Sequence, residues 1–262
     1  QSISKIPLLI SIDGDYGLAM RVEKTPQYPF AITLGALKED AEKWVEEVGY
    51  RMGLDMKRSG IHLNLAPCAD VNTNPNNPVI GYRSFGDQTE NVAKLAFAAY
   101  SGMKKAGIGA CLKHFPGHGD TATDSHLGLP ILHKSKAELE AEELLPFQYG
   151  IDRGVELIMV GHLAVPALTG GKDIPASISR ELITNLLKGE MGFKGLVISD
   201  ALNMKAVANL YPEPGELEWQ AFHAGNDILC FSDHVTEGIE KIAQNASDEE
   251  VDAVFEKVMA LK

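Results

Sequence analysis

The chain has 262 residues, 45% of them apolar, with 24 basic against 36 acidic side chains and a formal charge of −12. That length suits one large domain, residues 1–262, with a full core, and the acidity argues against a nucleic-acid partner, which needs a basic face. No apolar run approaches the roughly 18 residues of a membrane span, and Cys68, Cys111 and Cys230 lie far apart without a CxxC pair, as buried thiols rather than a disulfide framework or zinc site.

In chain order, Ile6 to Ile12 (IPLLISI) is a continuous apolar run, hence a strand buried on both faces. The start at Gln1, almost directly in that strand, reads as a cut rather than a natural N-terminus. Ala41, Trp44, Val45, Val48, Met52 and Met56 recur at helical spacing within Lys38 to Ser59. Gly60 stops that helix, and Ile61 to Ala66 (IHLNLA) is the next strand. A polar loop, Pro67 to Glu90, precedes a helix over Asn91 to Ala106. Gly107 stops it, and the strand GIGACL leads into Lys113.

Ser135 to Glu138 is a capping box opening a helical region to Arg153, with a break at Pro146. Val155 to Val160 (VELIMV) is a strand running into Gly161-His162. Ser179 caps a helix through Leu187. Leu196 to Ser199 is a strand ending at Asp200, Ile228 to Phe231 is a last short strand, and the SDEE box at Ser247 opens a terminal helix. Helix, glycine, apolar strand and long polar loop recur, which implies parallel pairing with the active face at the strand C-termini. Six such strands can be read from the sequence. The expected fold is α/β, a TIM-like (β/α)8 barrel lacking or not showing its first one or two βα units, with an open doubly wound sheet as the alternative.

The polar groups concentrate in Lys113 to Pro130, KHFPGHGDTATDSHLGLP, where Pro116, Gly117 and Gly119 break any helix and set the groups on a loop. Asp13, Lys113, His114, His162 and Asp200 stand at strand ends and Arg83 on a loop, so a barrel would gather them at one mouth. Asp200 has two readings of similar weight from spacing: an ionised nucleophile or base, and the cap of a helix over Ala201 to Ala208. In Asp124-Ser125-His126 a carboxylate two residues from an imidazole would orient it and raise its pKa, so that it holds a proton for a leaving group. Arg21, Arg83, Lys113 and His114 offer donors to hydroxyls or carboxylates, or else serve structural ion pairs. The set His114, His118, Asp120, Asp124 and His126 could be read as metal ligands, but Pro116 and Gly117 spoil a one-face geometry and Lys113 adds positive charge. No metal or other cofactor is expected.

KHFPGHGDTATDSH, LAPCADVNTNPNNPVIGYRSFG and GLVISDALNM together resemble the N-terminal catalytic domain of glycoside hydrolase family 3, in its bacterial β-N-acetylhexosaminidase subgroup. The resemblance covers nearly the whole chain. It implies that Asp200 is the nucleophile, that His126 is the acid/base assisted by Asp124, and that Asp13, Arg21, Arg83, Lys113 and His114 contact the sugar. His162 joins them as an expected sugar contact from its place at a strand end. The implied activity is retaining exo-hydrolysis of terminal β-linked GlcNAc, with peptidoglycan fragments as one source and a small carbohydrate as the partner. A β-glucosidase or phosphorylase on the same barrel, and a non-catalytic sugar-binding remnant, are the alternatives. The subgroup's DxEGG after the first strand is here Asp13-Gly14-Asp15-Tyr16-Gly17, which shortens a carboxylate and adds bulk. Oligomeric state and compartment stay open: a simple recycling enzyme would be cytoplasmic, and a barrel fused to further domains would be exported.

Overall fold

A computed structural model describes residue 6 and residues 8–122 and 128–261. Strands β1 (Ser11–Ile12), β2 (Leu63–Asn64) and β3 (Gly109–Ala110) pair in parallel in that order. A second parallel group consists of β4 (Leu112–Phe115), β5 (Leu157–Val160), β6 (Leu196–Ala201) and β7 (Ile228–Cys230). Backbone hydrogen bonds from Cys111 to Ala66, Lys113 to Pro67 and Ala69 to Lys113 stitch the groups together at 2.9, 3.2 and 2.6 Å. The strands thus form one parallel arc in chain order, a partial TIM-like (β/α)8 barrel. Among the described residues its two edges, β1 and β7, do not pair.

Helices return the chain between strands. Helices α1 (Ala31–Gly35) and α2 (Ala41–Arg58) follow β1, and α3 (Thr89–Lys105) follows β2. Helices α4 (Lys136–Ala141) and α5 (Leu145–Ile151) follow β4, and a π-helix, Glu181–Glu190, follows β5. Helices α6 (Lys205–Ala208) and α7 (Glu216–Ala224) follow β6, and α8 (Val235–Asn245) and α9 (Asp248–Leu261) end the chain.

The runs of β5 and β6 are continuous because successive strand residues face opposite sides and both sides are covered; the first run departs from the expected strand buried on both faces, since β1 spans only Ser11–Ile12 and Leu8 and Ile10 are exposed. Leu157, Met159, Leu196 and Ile198 face an inner cluster with Leu63, Leu65 and Cys111. Ile158, Val160 and Val197 face the helices, beside Leu95, Met103 and Phe147. Phe115 and Phe147 are fully buried and meet edge to face at 5.4 Å, each side chain contributing roughly 1.5–3 kcal/mol. Helices α2 and α3 cross closely: a Cβ on Gly102 would come 2.0 Å from the carbonyl oxygen of Glu46.

Both capping boxes form. The Ser135 hydroxyl accepts from Glu138 N while the Glu138 carboxylate accepts from Ser135 N, and Ser247 and Glu250 reciprocate in the same way. The Ser179 hydroxyl accepts from Leu182 N at 3.3 Å, but the helix it opens is of the π type and runs to Glu190. Three further expectations need correction. The break in the helical region falls at residues 142–144, and Pro146 instead lies in the first turn of α5, where its missing N–H is not needed. The strand expected to end before Lys113 continues as β4 through Phe115, so Lys113 and His114 are strand residues, not loop residues; Phe115 pairs with Val160 and its burial holds the segment in the sheet. Asp200 does not cap a helix, because β6 runs on to Ala201 and α6 starts only at Lys205.

Candidate active site

The strand C-termini open into a cavity of about 1040 Å³. Asp13 and Arg21 from the β1 end, Arg83 from the turn at Gly81–Arg83, Lys113, His114 and His118 from the β4 region, and Asp200 from β6 all line it. The arc brings these residues together because parallel strands put all their C-termini at one end.

Lys113 has only 2% of its side chain exposed, yet it keeps its charge. Its Nζ lies 2.5 Å from Asp13 Oδ1 and 2.8 Å from Asp15 Oδ1. Burial would lower its pKa, but Asp15 and Asp13 outweigh burial and push it above the usual lysine value. A buried ammonium persists only with such pairing. Asp15 also accepts from Arg83 Nε at 2.6 Å, and Asp13 pairs with Arg21, whose Nε donates to the Asp13 carbonyl at 3.1 Å. Burial would raise both carboxyls; Lys113, then Arg83, hold them below the usual carboxylate range.

Behind this layer Asp70, fully buried, organises the histidines. Its Oδ2 accepts from His114 Nδ1 at 2.8 Å, and its Oδ1 accepts from the backbone N–H groups of His114 and His118 at 3.1 and 2.7 Å. Burial opposes the charge, and His114 followed by His118 overcomes it, so Asp70 is held low. His114 Nε2 is left facing Arg83 Nη2 at 3.5 Å. His118 pairs through Nδ1 with the Thr121 hydroxyl at 2.5 Å; burial, then the neighbouring His114, push its pKa down. The turn carrying it passes so close to the preceding loop that a Cβ on Gly119 would come 1.8 Å from Val71 O.

Asp200 sits apart from the ion pairs. Its Oδ1 accepts the Ala201 N–H at 2.8 Å. Burial raises its pKa, while His162, His114, the Ala201 N–H and Lys113 together bring it below the usual value. The carboxylate is therefore ionised at neutral pH without a cation bonded to it among the described residues.

His162 does not reach the cavity surface, contrary to expectation. Its ring is fully buried, with Nδ1 2.7 Å from the Ser177 hydroxyl and Nε2 2.8 Å from the Ala201 carbonyl. The residue follows a strand end, bonds the carbonyl of the residue after Asp200, and favours the Asp200 carboxylate by its charge. Asp124 and His126, the expected proton donor pair, lie outside the described residues. Asp15 and Asp70 escaped the sequence reading as site residues. Both are carboxylates beside buried apolar runs, the signal that singled out Asp200, and burial without a partner would be prohibitive for either.

Among the described residues, Cys68, Asp70 and His114 alone bring metal-ligand atoms within 4.8 Å of one another. The donor set does not suit a cation. Burial, then Asp15, push the Cys68 thiol well above its usual pKa, and both Asp70 oxygens are already hydrogen-bonded. The cluster is a support for His114.

The chain is similar to known proteins along most of its length. The model of the glycosyl hydrolase family 3 N terminal domain matches residues 1–261. Beta-hexosaminidase A of Pseudoalteromonas piscicida is 36% identical over 241 residues, which cover 87% of this chain and 40% of that protein. A family 3 β-N-acetylglucosaminidase from Paenibacillus superposes with a TM-score of 0.90 at 36% identity, over 98% of this chain and 50% of its own. NagZ from Neisseria gonorrhoeae, solved with N-trifluoroacetyl-D-glucosamine, superposes with a TM-score of 0.81 at 29% identity, over 95% of this chain and 73% of its own. The chain thus spans half or less of the first two relatives' lengths.

Proposed function

The chain belongs to glycosyl hydrolase family 3, and from that premise we propose that it is a retaining exo-β-N-acetylglucosaminidase, releasing terminal β-linked GlcNAc from small glycosides such as peptidoglycan fragments. The observation that carries this reading is the position of Asp200: an ionised carboxylate, unpaired with any cation among the described residues, on the wall of the cavity that also holds Asp13, Arg21, Arg83, Lys113 and His114. The five gripping residues hold the hydroxyls of one terminal ring and fix its anomeric carbon before the carboxylate.

Asp200 attacks C1 and the C1–oxygen bond breaks, with the proton for the leaving oxygen supplied by His126, oriented by Asp124. His126 then takes a proton from water, whose oxygen attacks C1 and frees Asp200. Two inversions at C1 retain its configuration. The Ala201 N–H and the buried His162 keep Asp200 ionised without neutralising it, which a nucleophile needs.

The test is hydrolysis of nitrophenyl β-GlcNAc by the wild type and by Asp200→Asn. The variant is expected to lose at least about a thousandfold in kcat, and a slow fluoro-sugar is expected to add its mass to Asp200 in the wild type alone. GlcNAc binding without turnover in either protein would make the chain a sugar-binding remnant. Faster consumption of the glycoside with phosphate present, yielding a sugar phosphate, would make it a phosphorylase, and preference for nitrophenyl glucoside a glucosidase.

A further inference from the structure

Among the residues assigned to hold the sugar, Asp13, Arg21, Arg83 and Lys113 are ionised and paired with one another or with Asp15. His114 differs. It lines the cavity with an imidazole whose two nitrogens meet unlike partners. Nδ1 lies 2.8 Å from Oδ2 of the fully buried Asp70, and Nε2 lies 3.5 Å from Arg83 Nη2.

Those partners decide where the ring proton sits. Asp70 is held below the usual carboxylate range, so it is ionised and can only accept. Nδ1 therefore carries the proton that it donates. A guanidinium can only donate, so the Nε2 beside Arg83 presents a lone pair. The carboxylates of the grip do not offer the same thing. Asp13 Oδ1 and Asp15 Oδ1 meet Lys113, Asp13 Oδ2 meets Arg21, and Asp15 Oδ2 meets Arg83. Asp70 also fixes the backbone beneath the ring, because its Oδ1 accepts from the N–H groups of His114 and His118 at 3.1 and 2.7 Å.

We propose that Asp70 is a positioning residue acting through His114: by holding the ring proton on Nδ1 it makes Nε2 a hydrogen-bond acceptor in the grip, and the protein thereby selects sugars with a free hydroxyl between Arg83 and His114. The inference rests on the proposed function and adds a specificity rule to it. A hydroxyl both donates and accepts. Seated there, it accepts from the Arg83 guanidinium and donates to Nε2, and accepting from a cation strengthens its own donation. A fluorine or an ether oxygen at that position has no proton to give. It would leave Nε2 unpaired in a closed site, which costs more than an average hydrogen bond returns.

Asp70→Asn separates this role from packing. The two backbone N–H groups need an oxygen in the Oδ1 place, so the amide nitrogen takes the Oδ2 place facing Nδ1. That nitrogen can only donate, so Nδ1 must accept and the ring proton moves to Nε2. An Asp-to-Asn exchange behind an imidazole can leave the geometry intact and invert the tautomer in this way.

The test is calorimetric binding of methyl β-GlcNAc and its deoxyfluoro derivatives at C3, C4 and C6 to Asp200→Asn, with and without Asp70→Asn. Binding is read because fluorine by itself slows glycosyl transfer. One derivative is expected to bind about tenfold more weakly than the parent glycoside to Asp200→Asn, and the ratio is expected to fall toward one when Asp70→Asn is added. Nitrogen NMR of histidine-labelled protein is expected to find the His114 proton on Nδ1 in the wild type and on Nε2 in Asp70→Asn, the signals being identified by their loss in His114→Gln. Equal binding of the parent and all three derivatives overturns the proposal, as does a wild-type His114 protonated on Nε2. A ratio that survives Asp70→Asn while every affinity falls together also overturns it and leaves Asp70 a packing residue. If Asp70→Asn does not fold, the wild-type tautomer and the ratio in Asp200→Asn still decide. Absent turnover in the wild type with the ratio intact would sink the hydrolase reading and leave the acceptor role standing.

Discussion

On the β1–β4 side of the cavity every carboxylate is tied down: Asp13 to Lys113 and Arg21, Asp15 to Lys113 and Arg83, Asp70 to His114. On the β5–β7 side Asp200 accepts one backbone N–H and, among the described residues, makes no ion pair. Both sides keep their acids ionised against burial, but by different means. Fixed pairs make rigid donors for holding a ligand, and they consume the carboxylate's lone pairs in doing so. A carboxylate stabilised by a hydrogen bond and by more distant charge keeps a lone pair available. On the proposed reading, the division between holding and reacting is built into how each charge is compensated.

The sharpest way to break this comparison is to neutralise one acid on each side. Asp200→Asn is expected to abolish turnover while leaving the unfolding midpoint nearly unchanged, since no ion pair is lost. Asp15→Asn leaves Lys113 and Arg83 buried with one partner fewer and is expected to cost about 3–5 kcal/mol of stability, read by denaturant unfolding, together with most of the sugar affinity. Equal stability losses in the two variants would erase the distinction.

The pH dependence of stability follows the same pairs. Asp13, Asp15 and Asp70 have pKa values below the ordinary 3.8 in the folded protein. Their contribution is present above that value and is lost as pH falls through the lower folded values. Lys113 lies above its ordinary 10.5, so its contribution is present below that value and is lost as pH rises beyond it. Stability from this side should be flat across the neutral range and fall at both extremes, and in Asp15→Asn the acid fall should be shallower.

His162→Gln probes the other side. His162 is the largest influence holding Asp200 down against burial, so its loss should move the acid limb of kcat/KM to higher pH. The fall in rate is expected on the acid side, with little change near neutrality, where Asp200 stays ionised. A uniform fall with an unmoved limb would make His162 a packing residue only. The smallest effect belongs to a position remote from both sides: Ser135→Ala removes the capping hydroxyl of α4 and should cost about 1 kcal/mol, with kcat/KM unchanged.

Much of the layout was legible in the residues. The glycine stops at Gly60, Gly107 and Gly154 all take left-handed backbone just before a strand or its lead-in, and both SxxE boxes formed as written. What misled the reading was polarity. Lys113 and His114 looked like loop residues because they are charged or polar, but the backbone pairing of Phe115 with Val160 carries the strand past them. Asp200 looked equally like a cap, until β6 proved to continue through it.

Periodicity, glycine placement and capping boxes depend on neighbours within a few positions, and these the sequence determined alone: a parallel α/β arc with its polar groups at one end. The choice of partners lay beyond it. Lys113 meets Asp13 across 100 positions and His114 meets Asp70 across 44, pairings that depend on which strands adjoin and in what register. Only the folded arc buried His162 and set Asp200 on the cavity wall, because two residues at strand ends differ by which way the sheet turns their side chains and by what packs against them.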